Sequence, residues 1–183
     1  MALAITGCSP KDSAPSAAAP APAKRAVSLE AIAAGAKGFT VGAMMSTNTV
    51  YVFFDAQCPH CGHLWEASAP LLKKVKFVWI PVGLINATST AQGAALMTAA
   101  NPAELMSEHE RSLLAGKGGI SASSSLPAGA EQAIKANTQL WTSFGAEAVP
   151  YVVAKNMKTG QVVTKEGSMP TAALADFLGV DVP

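Results

Sequence analysis

Charge is scarce in this chain. Only 14% of its 183 residues are Asp, Glu, Lys or Arg, and the net charge is +1. A nucleic-acid surface needs clustered Lys and Arg, so no nucleic-acid partner is expected. Long apolar runs are missing too. Half the residues are hydrophobic, yet no stretch reaches the ~18 consecutive apolar residues of a transmembrane helix. Cysteine is limited to three positions, too few for a disulfide scaffold. There is no internal repeat. What remains is enough length for one domain of ordinary size with a real core.

The informative stretch runs from Thr49 to His63. Thr49–Phe54 is β-branched and aromatic throughout, which suits a strand buried on both faces. Asp55, Ala56 and Gln57 break the run. Cys58, Pro59, His60 and Cys61 then open a helical pattern. Residues three apart on a helix share a face, so Cys58 and Cys61 can meet sulfur to sulfur. Cys58 sits at the expected helix N-terminus, where unpaired N–H groups and the dipole favour an anion. Its pKa should fall, to about 3.5–7.5 for such sites. Pro59 lacks an N–H and has a φ suited to the first helical position. The expectation is an exposed, nucleophilic Cys58 with Cys61 buried beneath it.

The run Phe53-Phe54-Asp55-Ala56-Gln57-Cys58-Pro59-His60-Cys61 resembles the thioredoxin superfamily, and within it the periplasmic Dsb proteins. The Phe-Phe-Asp lead-in and the later layout are most similar to the DsbC/DsbG catalytic domain. The Cys-Pro-His-Cys box is the DsbA type. The resemblance covers roughly residues 39–178. It implies an α/β thioredoxin fold with a helical insertion between the two halves.

The rest of the chain is read in that light. Leu3–Ser9 resembles the end of a bacterial lipoprotein signal, with Cys8 as the residue to be lipidated, although only seven residues precede it. The Pro/Ala/Ser stretch up to Ala26 reads as a flexible tether, so the domain is expected over 27–183. Ser28 can cap a helix over 27–36, and 39–42 is a candidate strand. Helix one is expected to run from the box to Val75, kinked by Pro70 near 66–68. Lys76–Val82 is the next strand, parallel to the first, and Pro81 places its end at an edge or outside the ladder. The insertion spans about 84–145: a helix over 87–100, one from Asn101 to Leu114, a Gly/Ser loop, and one opened by Leu126-Pro127. A strand after Val149-Pro150, a hairpin and a helix to Leu178 close the fold.

The resemblance assigns roles. Cys58 attacks and Cys61 resolves. Pro59 and His60, inside the box, tune the Cys58 thiolate. Pro150 matches the superfamily's cis-proline facing the sulfurs, and the Val149 backbone would pair with an extended substrate. Valine before this proline is DsbA-like. The superfamily's buried acid, six residues before the first cysteine, is here Val52, which leaves open what accepts the Cys61 proton. Asp55 is a turn residue or a proton relay. The implied function is thiol–disulfide exchange on unfolded or partly folded envelope proteins in the periplasm, with a membrane redox partner, no organic cofactor and no metal. A lipid anchor through Cys8 would tether the protein to the membrane. A DsbG-like reductase or isomerase is the alternative. So is a zinc or copper module built on Cys58, Cys61 and a histidine such as His63, with His109 a further candidate. The segment 27–37 leaves no room for the dimerisation domain of DsbC and DsbG, so a monomer is expected.

Overall fold

The computed structural model describes residue 1 and residues 25–182. Cys8, with its expected lipid, and most of the tether lie outside the described residues. Among the described residues six α-helices and five strands follow in order: α1 (Leu29–Gly35), β1 (Phe39–Gly42), β2 (Thr49–Asp55), α2 (Pro59–Ser68), β3 (Lys76–Val82), α3 (Ala87–Thr98), α4 (Pro102–Leu114), α5 (Ala130–Ser143), β4 (Tyr151–Lys155), β5 (Val162–Glu166) and α6 (Thr171–Leu178). The sheet order is β1-β3-β2-β4-β5. β2 runs parallel to β3 and antiparallel to β4, so the apolar run of Thr49–Phe54 is the central strand, as its composition requires. With α3–α5 between the halves, this is the expected thioredoxin fold with a helical insertion.

Alternation along β2 feeds two cores. Val50, Val52 and Phe54 join Leu64, Trp65, Trp79, Met106 and Leu174 on one face. Phe53 joins Ile32, Ile80, Trp141 and Phe144 on the other. Behind the end of β2, edge-to-face rings lock α2 to the sheet: Phe54 to Trp79 at 5.6 Å and Trp65 to Trp79 at 5.2 Å between centroids. Such pairs add about 0.5–1.5 kcal/mol each beyond their burial.

Two boundaries differ from the sequence reading, and a third feature agrees with it. α2 does not continue through Pro70. It stops at Ser68, and Ala69–Leu71 tightens into a 3-10 turn, because proline cannot supply the next helical N–H. β3 is an inner strand, but its end is an edge on one side, as Pro81 implies: Pro81 pairs with Phe54 of β2 and has no partner in β1. It is tolerated because β1 pairs only as far as Trp79. The Pro81 carbonyl accepts from Asn137 Nδ2 on that uncovered side, and the proline nitrogen points the same way. Finally, α5 starts at Ala130 rather than at Leu126-Pro127. Gly129 caps it at φ 79°, a left-handed conformation that glycine adopts without steric cost.

Candidate active site

The end of β2 sets the site. Asp55 is fully buried. Its Oδ1 accepts the Gln57 N–H (2.8 Å), and its Oδ2 accepts the N–H groups of Leu84 (2.7 Å) and Ile85 (3.0 Å). The residue therefore fixes the turn into the box and anchors the loop that begins the insertion. With three N–H groups on its two oxygens, the turn reading of Asp55 is the one the geometry fits.

Cys58 is the N-cap of α2, with extended backbone (φ −97°, ψ 110°), and Pro59 follows in the first turn. A cap normally offers a side-chain oxygen to the first N–H groups. Here the cap side chain is a thiol. It forms no cap hydrogen bond, but the N–H groups of Cys61 and His60 favour negative charge on it. The largest influence is the Cys61 thiol, which hydrogen-bonds to the Cys58 sulfur. Together these donors outweigh burial and the Asp55 charge, and lower the Cys58 pKa to about 7. The Cys61 pKa moves the opposite way, well above an ordinary thiol. Burial is the main cause, followed by the hydrogen bond to Cys58, the Cys58 charge and, more weakly, Glu110. One sulfur is thus prepared as the thiolate and the other held as the thiol.

Cys58 is less open than expected. It is 5% exposed against 0% for Cys61. Part of its cover comes from the second half of the fold: the Cys58 thiol donates to the Val149 carbonyl at 3.5 Å. The Val149–Pro150 bond is cis. The structure therefore brings Cys58, Pro59, Cys61, Val149 and Pro150 together. The side chains of Pro59 and His60 face solvent, and the His60 ring lies 6.1 Å from that of His63. What His60 offers Cys58 directly is its backbone N–H.

His109 is spoken for. Its Nε2 meets the Ala56 carbonyl at 2.6 Å, and its Nδ1 accepts the Ile120 N–H at 3.2 Å. That pairing makes it a neutral structural imidazole, its pKa lowered chiefly by burial, and leaves neither nitrogen for a metal. Among the described residues no three His, Cys, Asp or Glu side chains gather as metal ligands.

Other residues of the site escaped the sequence reading. Gln57 Oε1 accepts from Asn86 Nδ2 (3.1 Å), and its Nε2 donates to Gln92 Oε1 and to the Gly118 carbonyl (3.0 Å), stitching the box to the insertion. Glu110 of α4 is 1% exposed and neither carboxylate oxygen has a hydrogen-bond partner. Burial first, then the charges of Cys58 and Glu66, push its pKa up to about 8. The available signal was helical spacing. Glu110 lies four residues after Met106, on the buried face of α4, where a carboxylate is out of place.

No protein-family model matches the chain. It is 32% identical over 133 residues to the thiol:disulfide interchange protein DsbG of Pseudomonas aeruginosa, an alignment covering 71% of this chain and 50% of that protein. It is 29% identical over 118 residues to DsbG of Escherichia coli, covering 62% and 47%. The chain belongs to the thioredoxin-like thiol:disulfide interchange proteins and is DsbG-like. The DsbG-like chain spans about half the length of the curated relatives it matches. Its fold is also that of a periplasmic thioredoxin-like protein from Salmonella enterica serovar Typhimurium, with a TM-score of 0.65 at 15% identity over 84% of this chain and 97% of that one.

Proposed function

We propose that this DsbG-like chain catalyses thiol–disulfide exchange on protein substrates in the bacterial envelope, using Cys58 as nucleophile and Cys61 as the resolving thiol. One observation carries the reading: two paired cysteines have oppositely shifted pKa values, and the sulfur of the lowered one, Cys58, meets the Val149 carbonyl across the fold. The Cys58 thiolate attacks a substrate disulfide, and a mixed disulfide forms as the substrate's other sulfur leaves. Cys61 then attacks Cys58, so that the Cys58–Cys61 bond forms and the substrate departs reduced. Run backwards, the same steps oxidise a dithiol. The sulfur pair carries the two electrons itself. The Val149 backbone, beside Cys58, is where an extended substrate would pair as an added strand. A redox partner in the membrane would reset the pair, and a lipid on Cys8 would hold the domain near it.

The box is DsbA-like, whereas the relatives matched in sequence are DsbG proteins. That likeness favours reduction or isomerisation; the lowered Cys58 pKa serves either direction, since a thiolate attacks readily and also stabilises the reduced form.

The test is a trap. In Cys61→Ser the mixed disulfide cannot resolve, so incubation with a disulfide-bonded substrate should accumulate an adduct that maps to Cys58 by mass spectrometry. An adduct absent there, or one formed equally on Cys61 in Cys58→Ser, overturns the assignment.

A further inference from the structure

We propose that Glu110, supplied by the helical insertion, takes up the Cys61 proton when the mixed disulfide is resolved and returns it when the pair is reduced. The proposal rests on the thiol–disulfide reading above and supplies what that reading lacks, because the core position that could have held a buried acid in β2 is Val52, fully buried and apolar.

The placement is specific. α4 packs along α2, and Glu110 Oε2 lies 2.7 Å from the point where a Gly62 side chain would begin. Gly62 directly follows Cys61, so the absence of a side chain lets the carboxylate lie against the helix backbone one residue past the resolving cysteine, near enough for its charge to act on the Cys61 thiol. Both of its oxygens are buried and lack partners. A buried carboxylate without partners is costly. On its other flank, Glu110 lines a pocket of about 400 Å³ with Trp65, Glu66, Ser107 and Arg111. Glu66 and Arg111 reach solvent there, which gives the proton a way out.

The neighbouring titratable groups are poor competitors. Asp55 has its oxygens occupied by three N–H groups. His109 has both nitrogens occupied. On α2, His60, His63 and Glu66 are exposed, as are Glu104, Glu108 and Arg111 on α4 itself. α3 and β1, which also pack on α4, carry no charged residue.

The step balances. Cys61 loses its proton to the Glu110 carboxylate, and its sulfur attacks Cys58. The Cys58–Cys61 bond forms, the Cys58–substrate bond breaks, and the substrate leaves as a thiolate. In reverse, a thiolate opens the Cys58–Cys61 bond, and the departing Cys61 sulfur takes the proton back from Glu110. The charges keep the order of events. A Cys58 thiolate opposes ionisation of Glu110. Once Cys58 is in a mixed disulfide that charge is gone, and the carboxylate forms more easily, when a base is needed.

Two measurements test this. First, reduced protein is mixed with a fluorescent glutathione disulfide, and mixed-disulfide formation and resolution are followed separately against pH. Glu110→Gln should slow resolution roughly tenfold or more and remove an inflection from its pH profile, while Glu108→Gln, a charge loss on the exposed side of α4, should change neither. Second, the carboxyl carbon of Glu110 is titrated by NMR in the otherwise native chain, with Cys58 free and with Cys58 alkylated by iodoacetamide. Its pKa should fall on alkylation. Wild-type protein that resolves normally beside a Glu110→Gln variant with the same profile, or a Glu110 titration indifferent to alkylation, overturns the proposal. Wild-type protein that forms no mixed disulfide would instead defeat the underlying exchange reading.

Discussion

Asp55 Oδ2 accepts the backbone N–H of Leu84 at 2.7 Å, across 29 positions of sequence. This bond joins the end of the central strand to the first residues of the insertion. It makes the turn before the cysteines and the loop leading to α3 one unit. Asp55→Ala should therefore leave three N–H groups without their acceptor. The expected cost is about 3 kcal/mol, since hydrogen bonds to a charged group contribute roughly 1.5–3 kcal/mol each and these share one carboxylate. Urea unfolding of the reduced protein measures it; a loss under about 1 kcal/mol would mean that water replaces the carboxylate.

The Cys61 thiol is the largest stabiliser of the Cys58 thiolate. Cys61→Ala should thus raise the Cys58 pKa from about 7 toward the ~8.5 of a free cysteine. The N–H groups of Cys61 and His60 survive the change, so the rise should be incomplete. Alkylation rate against pH gives the value. An unchanged pKa would put the whole effect on the helix N-terminus.

His60 is a milder case. Replacing it by alanine keeps the N–H that faces Cys58 and removes only an exposed ring. The Cys58 pKa should rise, and the disulfide become less oxidising, by less than about one pKa unit because water screens the ring. Equilibration with glutathione reads the potential. No change in either would make the ring a spacer.

Stability should depend on pH through Glu110. Its pKa is raised in the folded protein from 4.5 to about 8. A raised pKa means that the folded state holds the proton more tightly than the unfolded chain. The associated stability is complete below about pH 4.5 and is lost as pH rises toward 8. Reduced Glu110→Gln should lack this slope, and should exceed wild type above pH 8 by roughly 5 kcal/mol. Urea titrations at pH 5 and pH 9 decide it; parallel curves for the two proteins would place Glu110 in water.

Much of this was legible in sequence because it follows from local chemistry. β-branched and aromatic residues at Thr49–Phe54 give a strand that must be covered on both faces. The spacing of Cys58 and Cys61, with Pro59 between them, gives a helix start with paired sulfurs. The Asn101-Pro102 start and Leu114 end of α4 are likewise written in capping residues. What stayed hidden depends on which helix lies beside which. Glu110 meets Gly62 only because α4 crosses α2, and no local pattern encodes that crossing. The cover over Cys58 is of the same kind, since Val149 arrives from the far side of the insertion. Pro81 marks the end of β3 as an edge on one side, but not that β1 is the neighbour that stops short, a property of another segment.

The distance between Cys58 and the Val149 carbonyl has a temporal meaning as well. The two are 91 positions apart, and chains fold as they are made, N-terminal part first. A growing chain carries both cysteines long before the segment that will face them exists. During that interval the N–H groups and the Cys61 thiol that act on Cys58 can already be in place, because they belong to its own helix. The Val149 carbonyl reaches the Cys58 sulfur only once β4 has docked beside β2, so the site is assembled in two stages.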